Sequence, residues 1–83
     1  MAVLGYDDIV LKNKIAQRIE QLRINTGLSP IQFANQHNID RQIIHRWESQ
    51  KNKRGVTIYT VAKFCQMIDI SLNEFFNDRI FNE

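Results

Sequence analysis

The sequence is poor in the residues on which disulfide-rich and β-rich folds depend. Its 83 residues include one cysteine (Cys65), one proline and three glycines. A single cysteine cannot form an internal disulfide, which is typical of proteins in a reducing compartment. Few glycines and prolines argue against an all-β fold with many tight turns. At this length we expect one domain over residues 1–83, with its small core in 11–77.

Long apolar runs are also missing. No stretch approaches the ~18–20 consecutive apolar residues that span a bilayer, so we expect no membrane association. Residues 1–8 lack a basic region followed by an apolar stretch, so we expect no signal peptide. The sequence therefore predicts a cytoplasmic protein.

Charge is distributed unevenly, although the net charge is only +2. Residues 41–54 contain five basic residues and one acidic residue, whereas residues 69–83 contain one basic residue and four acidic ones. This asymmetry suits a protein that presents one face to a polyanion, although a solvated basic loop explains the charge equally well.

Helix-capping signals predict an all-α fold of five helices. Helix 1 is expected from Asp7 or Asp8 to Gly27, because carboxylates favour helix starts and glycine favours helix ends. An apolar stripe marks its inner face, with charged residues on the other faces. The stripe is Leu11, Ile15, Ile19 and Leu22; the charged residues are Lys12, Lys14, Arg18 and Glu20.

Two short helices follow helix 1. Ser29-Pro30-Ile31-Gln32 is a capping box with proline at the first helical position, so helix 2 should run from there to about His37. Asn38 tolerates a positive φ, and Asp40 caps helix 3, expected over 41–49.

The C-terminal half carries two more caps. Thr57 should begin helix 4, and the capping box Ser71-Leu72-Asn73-Glu74 should begin a short helix 5. Apolar residues keep helical spacing along helix 4 at Ile58, Val61, Ala62, Cys65 and Ile68.

The tight connection between helices 2 and 3 is the most informative feature of the sequence. A connection of Asn38, Ile39 and Asp40 forces the helices to cross steeply. Ala34 allows close contact there, while Ile39 and Ile44 point towards the core. This spacing is the apolar skeleton of a helix-turn-helix unit.

From Ile15 to Phe76 the sequence resembles the phage-repressor or Cro-type helix-turn-helix family, also called the XRE family. The matching motifs are Ile15-x3-Ile19-x2-Leu22-Arg23, Gly27-Leu28-Ser29, Phe33-Ala34, Ile39-x4-Ile44-x2-Trp47-Glu48, Thr57-x2-Thr60-Val61 and Ile70-Ser71-Leu72-x2-Phe75-Phe76. Each motif is weak alone, but together and in order they are a strong signal. The resemblance implies a compact five-helix, lambda-repressor-like fold.

The resemblance also implies that helix 3 enters the major groove of DNA. Its outward residues would contact bases, and arginine and glutamine suit guanine and adenine edges respectively. Other residues would contact phosphates. The base contacts are Arg41, Gln42, His45, Arg46 and Ser49; the phosphate contacts are Ser29, Gln32, Lys51, Lys53 and Arg54. Arg23 and Glu48 match positions that form a structural salt bridge in the family.

The sequence departs from the family at three turn or cap positions. Pro30 stands where the family usually has a glutamine that touches DNA, which removes a donor and alters that contact. Asn38 and Asp69 each replace a common turn glycine, and both substitutions are tolerable.

Several residues have a structural interpretation beside a functional one. His37 and His45 lack the spacing of a metal-ligand pair, so we expect His45 to face the groove and His37 to lie on the surface. Cys65 is expected to be a buried small hydrophobe rather than a redox switch. Trp47 is expected to pack in the core rather than stack on a base. Ile80 and Phe81 either fold back on helix 1 or form a dimer contact.

The leading hypothesis is a sequence-specific transcriptional regulator, a repressor from a phage or other mobile element. It would bind a palindromic double-stranded DNA operator as a homodimer, without a cofactor, metal or small-molecule ligand. One alternative is a helix-turn-helix module that binds a protein, such as a toxin partner or polymerase. An enzyme is the third hypothesis, but no nucleophile–base pair, phosphate loop or metal set supports it.

Overall fold

The computed structural model describes residues 5–82. These residues contain five α-helices and one 3₁₀ helix, and no strand. The helices are α1 (Tyr6–Asn25), α2 (Pro30–Gln36), α3 (Arg41–Glu48), α4 (Ile58–Ile68), α5 (Leu72–Phe76) and the 3₁₀ helix (Arg79–Asn82). The all-α prediction is confirmed. Residues 1–4 and 83 of the expected domain lie outside the described residues. None of the described helices combines the length and apolar character needed to cross a membrane.

The predicted N-caps set the starts of α2, α4 and α5. Ser29 and Ser71 each accept a hydrogen bond from the backbone three residues later, and Gln32 and Glu74 complete the two capping boxes. Thr57 caps α4 through the backbone N–H of Thr60. These bonds satisfy amide groups that a helix start leaves without partners. The N-cap of α1 is Gly5, slightly earlier than expected, since its backbone N–H donates to Asp8 Oδ2 at 3.1 Å.

Two helices end on non-glycine residues in the left-handed conformation. Asn38 has φ 56° after α2, and Asp69 has φ 59° after α4. The next amide reaches back five residues in both cases, from Ile39 N to Ala34 O and from Ile70 N to Cys65 O, each at 3.0 Å. This Schellman pattern closes the helix ends, and both residues adopt the left-handed conformation there.

An aromatic cluster centred on Phe64 joins four of the helices. The ring centroid of Phe64, on α4, lies 5.8 Å from that of Phe33 on α2. It lies 6.3 Å from those of Trp47 on α3 and Phe75 on α5. Ile19 from α1 is fully buried in the same core. Trp47 is therefore a core residue, as predicted, whereas Phe64 was not distinguished by the sequence pattern.

Two residues of the predicted apolar stripes are exposed rather than buried. Leu11 on α1 is 49% exposed and Ile58 on α4 is 53% exposed. Both lie near the N-terminal end of their helix. The 20 residues of α1 extend about 30 Å, so its first turns reach past the small core. The predictions for these two positions were wrong because helical spacing identifies a face and not how far the core extends along it.

Arg18 was expected on the solvent face of α1 but is buried. Its Nε donates to Phe75 O at 2.7 Å and its Nη2 donates to Glu74 O at 2.9 Å. Nη1 donates to Gln21 Oε1 at 2.9 Å and lies 3.5 Å from Asp78 Oδ1. The last carbonyls of α5 carry partial negative charge, so a guanidinium stabilises them and ties α5 to α1.

The chain after α5 folds back on the domain. The 3₁₀ helix packs against α1, and the ring of Phe81 packs at a tilt against that of Phe76, with centroids 5.1 Å apart. Phe81 also packs against the core. The core therefore extends beyond the expected boundary at residue 77, and the fold-back alternative is confirmed for this segment.

Replacing Arg18 with methionine should test its role. Arg18→Met keeps the apolar stem but removes charged hydrogen bonds to two carbonyls, so we expect a loss of about 2–3 kcal/mol in the free energy of unfolding by urea titration. Arg79→Met, at an exposed position nearby, is the control and should change the value by less than about 0.5 kcal/mol. Equal effects of the two substitutions would contradict the assigned role of Arg18.

Candidate nucleic-acid interface

Helix α3 has one buried face and one exposed polar face. Ile44 is fully buried and Trp47 is 8% exposed. The polar residues of α3 lie on the opposite side of the helix, because neighbouring residues on a helix are separated by about 100°. The exposed residues are Arg41, Gln42, His45 and Arg46. Four of the five predicted base-contacting residues therefore share the solvent-facing side of one short helix.

A groove runs between this face and the start of α2. Arg41, Gln42 and His45 line one wall, and the other wall consists of Ser29, Pro30 and Ile31. The tight turn after α2 brings the walls together, since α2 and α3 pack closely on each other. The structure thus places a predicted phosphate-contacting residue, Ser29, beside three predicted base-contacting residues.

The side chains of Ser29 and Gln32 are partly committed to the cap of α2. Ser29 Oγ accepts from Gln32 N at 3.2 Å, and Gln32 Oε1 accepts from Ser29 N at 2.9 Å. Both bonds use oxygen acceptors. The cap uses neither the Ser29 hydroxyl proton nor the Gln32 amide NH₂, and both residues are exposed. A phosphate oxygen accepts hydrogen bonds from donors of this kind.

Ser49 differs from the other predicted base-contacting residues. It is the half-buried C-cap of α3, and its Oγ accepts a hydrogen bond from Lys51 N at 3.2 Å. Asn52 makes a similar bond, accepting from Arg54 N at 3.1 Å. These two bonds shape the segment that follows α3. The geometry of Ser49 thus favours a role in positioning this segment over contact with a base.

The segment after α3 presents the three predicted phosphate-contacting cations to solvent. Lys51, Lys53 and Arg54 are all exposed. The segment is anchored by Lys12 on α1, whose Nζ donates to Gln50 O at 2.8 Å. Lys12 was expected only as a solvent-facing charge, and no sequence signal connected it with a residue 38 positions away.

Gly55 lets the basic segment pass close to α1. Its φ is 67°, and a Cβ atom added there would lie 2.6 Å from Lys12 Cγ. That distance is too short for a side chain at this position. The glycine therefore serves both backbone conformation and close approach.

The predicted ion pair between Arg23 and Glu48 is present. Arg23 Nε and Nη2 donate to Glu48 Oε2 and Oε1 at 2.6 and 3.1 Å, and Nη1 donates to Leu28 O at 2.8 Å. Both side chains are 9% exposed. The hydrogen bond to Glu48 raises the pKa of the Arg23 guanidinium, although burial opposes this. This bidentate pair fixes the C-terminal end of α3 to α1.

The histidines and the cysteine occupy separate environments. His37 is half-buried, with its ring centroid 4.4 Å from that of Phe33. Cys65 is buried, and burial raises the pKa of its thiol. Over residues 5–82 the structure contains no group of three His, Cys, Asp or Glu side chains that could hold a metal ion.

Comparisons with protein-family models, curated proteins and solved structures found no match to this chain.

Breaking the Arg23–Glu48 pair should destabilise the domain. Glu48→Ala leaves a nearly buried guanidinium without its carboxylate, so we expect the free energy of unfolding to fall by about 3–5 kcal/mol. Arg23→Met/Glu48→Met should recover most of this loss, because two apolar side chains of similar volume need no counter-charge.

The control is Glu20→Ala, which removes an exposed carboxylate that also interacts with Arg23. Its effect should be within about 1 kcal/mol, as for other exposed ion pairs. Urea titration measures all three variants. A Glu48→Ala effect no larger than that of Glu20→Ala would show that the pair does not hold α3 in place.

Proposed function

We propose that this protein is a sequence-specific DNA-binding regulator of transcription, a repressor whose α3 enters the major groove. The observation that carries the proposal is the exposed face formed by Arg41, Gln42, His45 and Arg46, opposite the buried Ile44 and Trp47. On this proposal α2 and α3 form a helix-turn-helix unit within a lambda-repressor-like domain of the Cro/repressor type. The role requires no catalysis and no cofactor.

The dimensions of α3 suit the proposed site. A helix with its side chains is about 10–12 Å wide, close to the ~12 Å width of the B-DNA major groove. The eight residues of α3 extend about 12 Å, so several base pairs lie within reach of its exposed face. Arg41 and Arg46 have the fork geometry for guanine O6 and N7, and Gln42 has the paired donor and acceptor for adenine.

The cations outside α3 suit phosphate contacts. Lys51, Lys53 and Arg54 follow α3 in an anchored segment, and Ser29 with Gln32 lies across the groove at the start of α2. Contacts of this kind supply affinity and register but carry no base information. The proposed base-contacting residues and the proposed phosphate-contacting residues are thus separate groups of side chains.

We further propose that two copies bind a palindromic operator. Half-sites on one face of DNA are ~34 Å apart, and the longest dimension of the domain is 35 Å. The size of the domain is therefore comparable with the spacing of the half-sites. The dimer would form at least when DNA is bound.

Charge favours DNA over a protein partner for this face. A protein-binding surface is depleted of charge at its centre, whereas the face of α3 carries Arg41 and Arg46. The interaction-module alternative would require an acidic partner to satisfy both guanidinium groups.

Selection of bound sequences from a random DNA pool at near-physiological salt tests the proposal. The wild-type protein should enrich a palindromic consensus, and Arg41→Ala/Arg46→Ala should abolish that enrichment. Both arginines are exposed, so the substitutions should leave the fold intact. If the wild type enriched no sequence and bound DNA only weakly and with strong salt dependence, sequence-specific regulation would be contradicted and a protein partner favoured.

Single substitutions should separate the two kinds of contact. Arg46→Ala should reduce discrimination at one base pair by about 1–3 kcal/mol. Lys53→Ala should weaken binding to all sequences about equally and lower the slope of log affinity against log salt by about 1. Titrations of consensus and single-mismatch DNA over a range of salt concentrations measure both. If the two variants behaved identically, the division into base-contacting and phosphate-contacting residues would be refuted.

A further inference from the structure

Part of one wall of the groove beside α3 is apolar. Pro30 and Ile31 are both exposed, and Ile31 is 49% exposed although it is a large aliphatic residue. Single exposed apolar side chains are common on protein surfaces. Here, however, two of them are adjacent and face Arg41, Gln42 and His45 across one groove.

Pro30 gives this wall a specific chemical character. Proline has no backbone N–H, and its ring presents only carbon and hydrogen. As the first residue of α2, Pro30 cannot donate a hydrogen bond to a base or a phosphate. Ile31 adds an aliphatic side chain next to it. The Pro30 ring and the Ile31 side chain can therefore contact an apolar group but cannot form a hydrogen bond with a polar one.

We propose that Pro30 and Ile31 contact the 5-methyl group of a thymine at one position in each operator half-site. The inference rests on the proposed function, because it names the base feature that this part of the same site recognises. The thymine methyl is the apolar group that base edges present in the major groove. The opposite wall supplies the attraction that brings DNA to this place, since Arg41 is cationic and Gln42 and His45 can hydrogen-bond to base edges.

The same wall discriminates against cytosine. Cytosine lacks the methyl group and presents an N4 amino donor in the major groove. Against Pro30 and Ile31 that donor would lose water without gaining an acceptor, which is unfavourable. Two effects therefore favour thymine over cytosine: the contact with the thymine methyl group, and the loss of hydrogen bonding that the cytosine amino group would suffer at this position.

Deoxyuridine provides a sharp test because it differs from thymidine only in lacking the methyl group. Each thymine of the selected operator is replaced in turn, and the affinity of the wild-type protein is measured. At one position in each half-site the wild type should bind about fourfold more weakly, the factor expected for losing one buried methyl-sized group.

Ile31→Ala should reduce this sensitivity, because only Pro30 then remains to contact the methyl group. The variant should bind the thymine operator more weakly than the wild type does, and its affinities for thymine and deoxyuridine operators should differ by less than those of the wild type. Alanine is favourable in helices and the position is exposed, so the variant should fold. Its thermal unfolding is measured to establish that.

Ile24→Ala is the matched control. Ile24 is a similarly exposed isoleucine, on α1 and outside the lining of the groove. This variant should keep the full sensitivity to methyl removal.

Two results would overturn the inference while leaving the proposed regulation intact. In one, the wild type binds its selected operator but tolerates deoxyuridine at every position, or the operator contains no thymine in the half-site. In the other, Ile31→Ala retains the wild-type sensitivity. If the wild type selects no operator, the proposed function fails and this inference fails with it.

Discussion

The packing of four helices around Phe64 is the constraint on which the rest of the structure depends. A domain of this size buries a smaller fraction of its surface than a larger domain does, so a few large side chains must supply most of the core. Phe64 meets an aromatic ring from each of α2, α3 and α5. Because the partner on α3 is Trp47, this packing determines which face of α3 is hidden and therefore which face is available to a ligand.

Two buried guanidinium groups complement the aromatic core. Arg18 connects α1 with the end of α5, and Arg23 connects α1 with the end of α3. Burying a charge is costly unless it is paired and hydrogen-bonded. Among residues 5–82, every buried side-chain nitrogen or oxygen has a hydrogen-bond partner. The candidate interface is therefore carried by a helix whose inner face packs in the core and whose end is fixed by an ion pair.

The local features of the fold could be predicted because they depend on nearby residues. The caps at Ser29, Thr57 and Ser71 involve partners three positions away, and the left-handed residues Asn38 and Asp69 close their own helices. The Arg23–Glu48 pair spans 25 positions, and only the resemblance to a known family suggested it. Arg18 and Lys12 have distant backbone acceptors that no sequence pattern indicates.

The sequence by itself determined the five α-helices, most of their ends and the polar character of the face of α3, because capping and periodicity are local properties of the chain. Only the tertiary structure decided which residues share a surface. It placed the apolar pair Pro30 and Ile31 across a groove from Arg41, left Leu11 and Ile58 in solvent, and buried Arg18. The physical reason is that burial and adjacency depend on where the core ends and how separate helices pack, and neither is encoded in the spacing along a single helix.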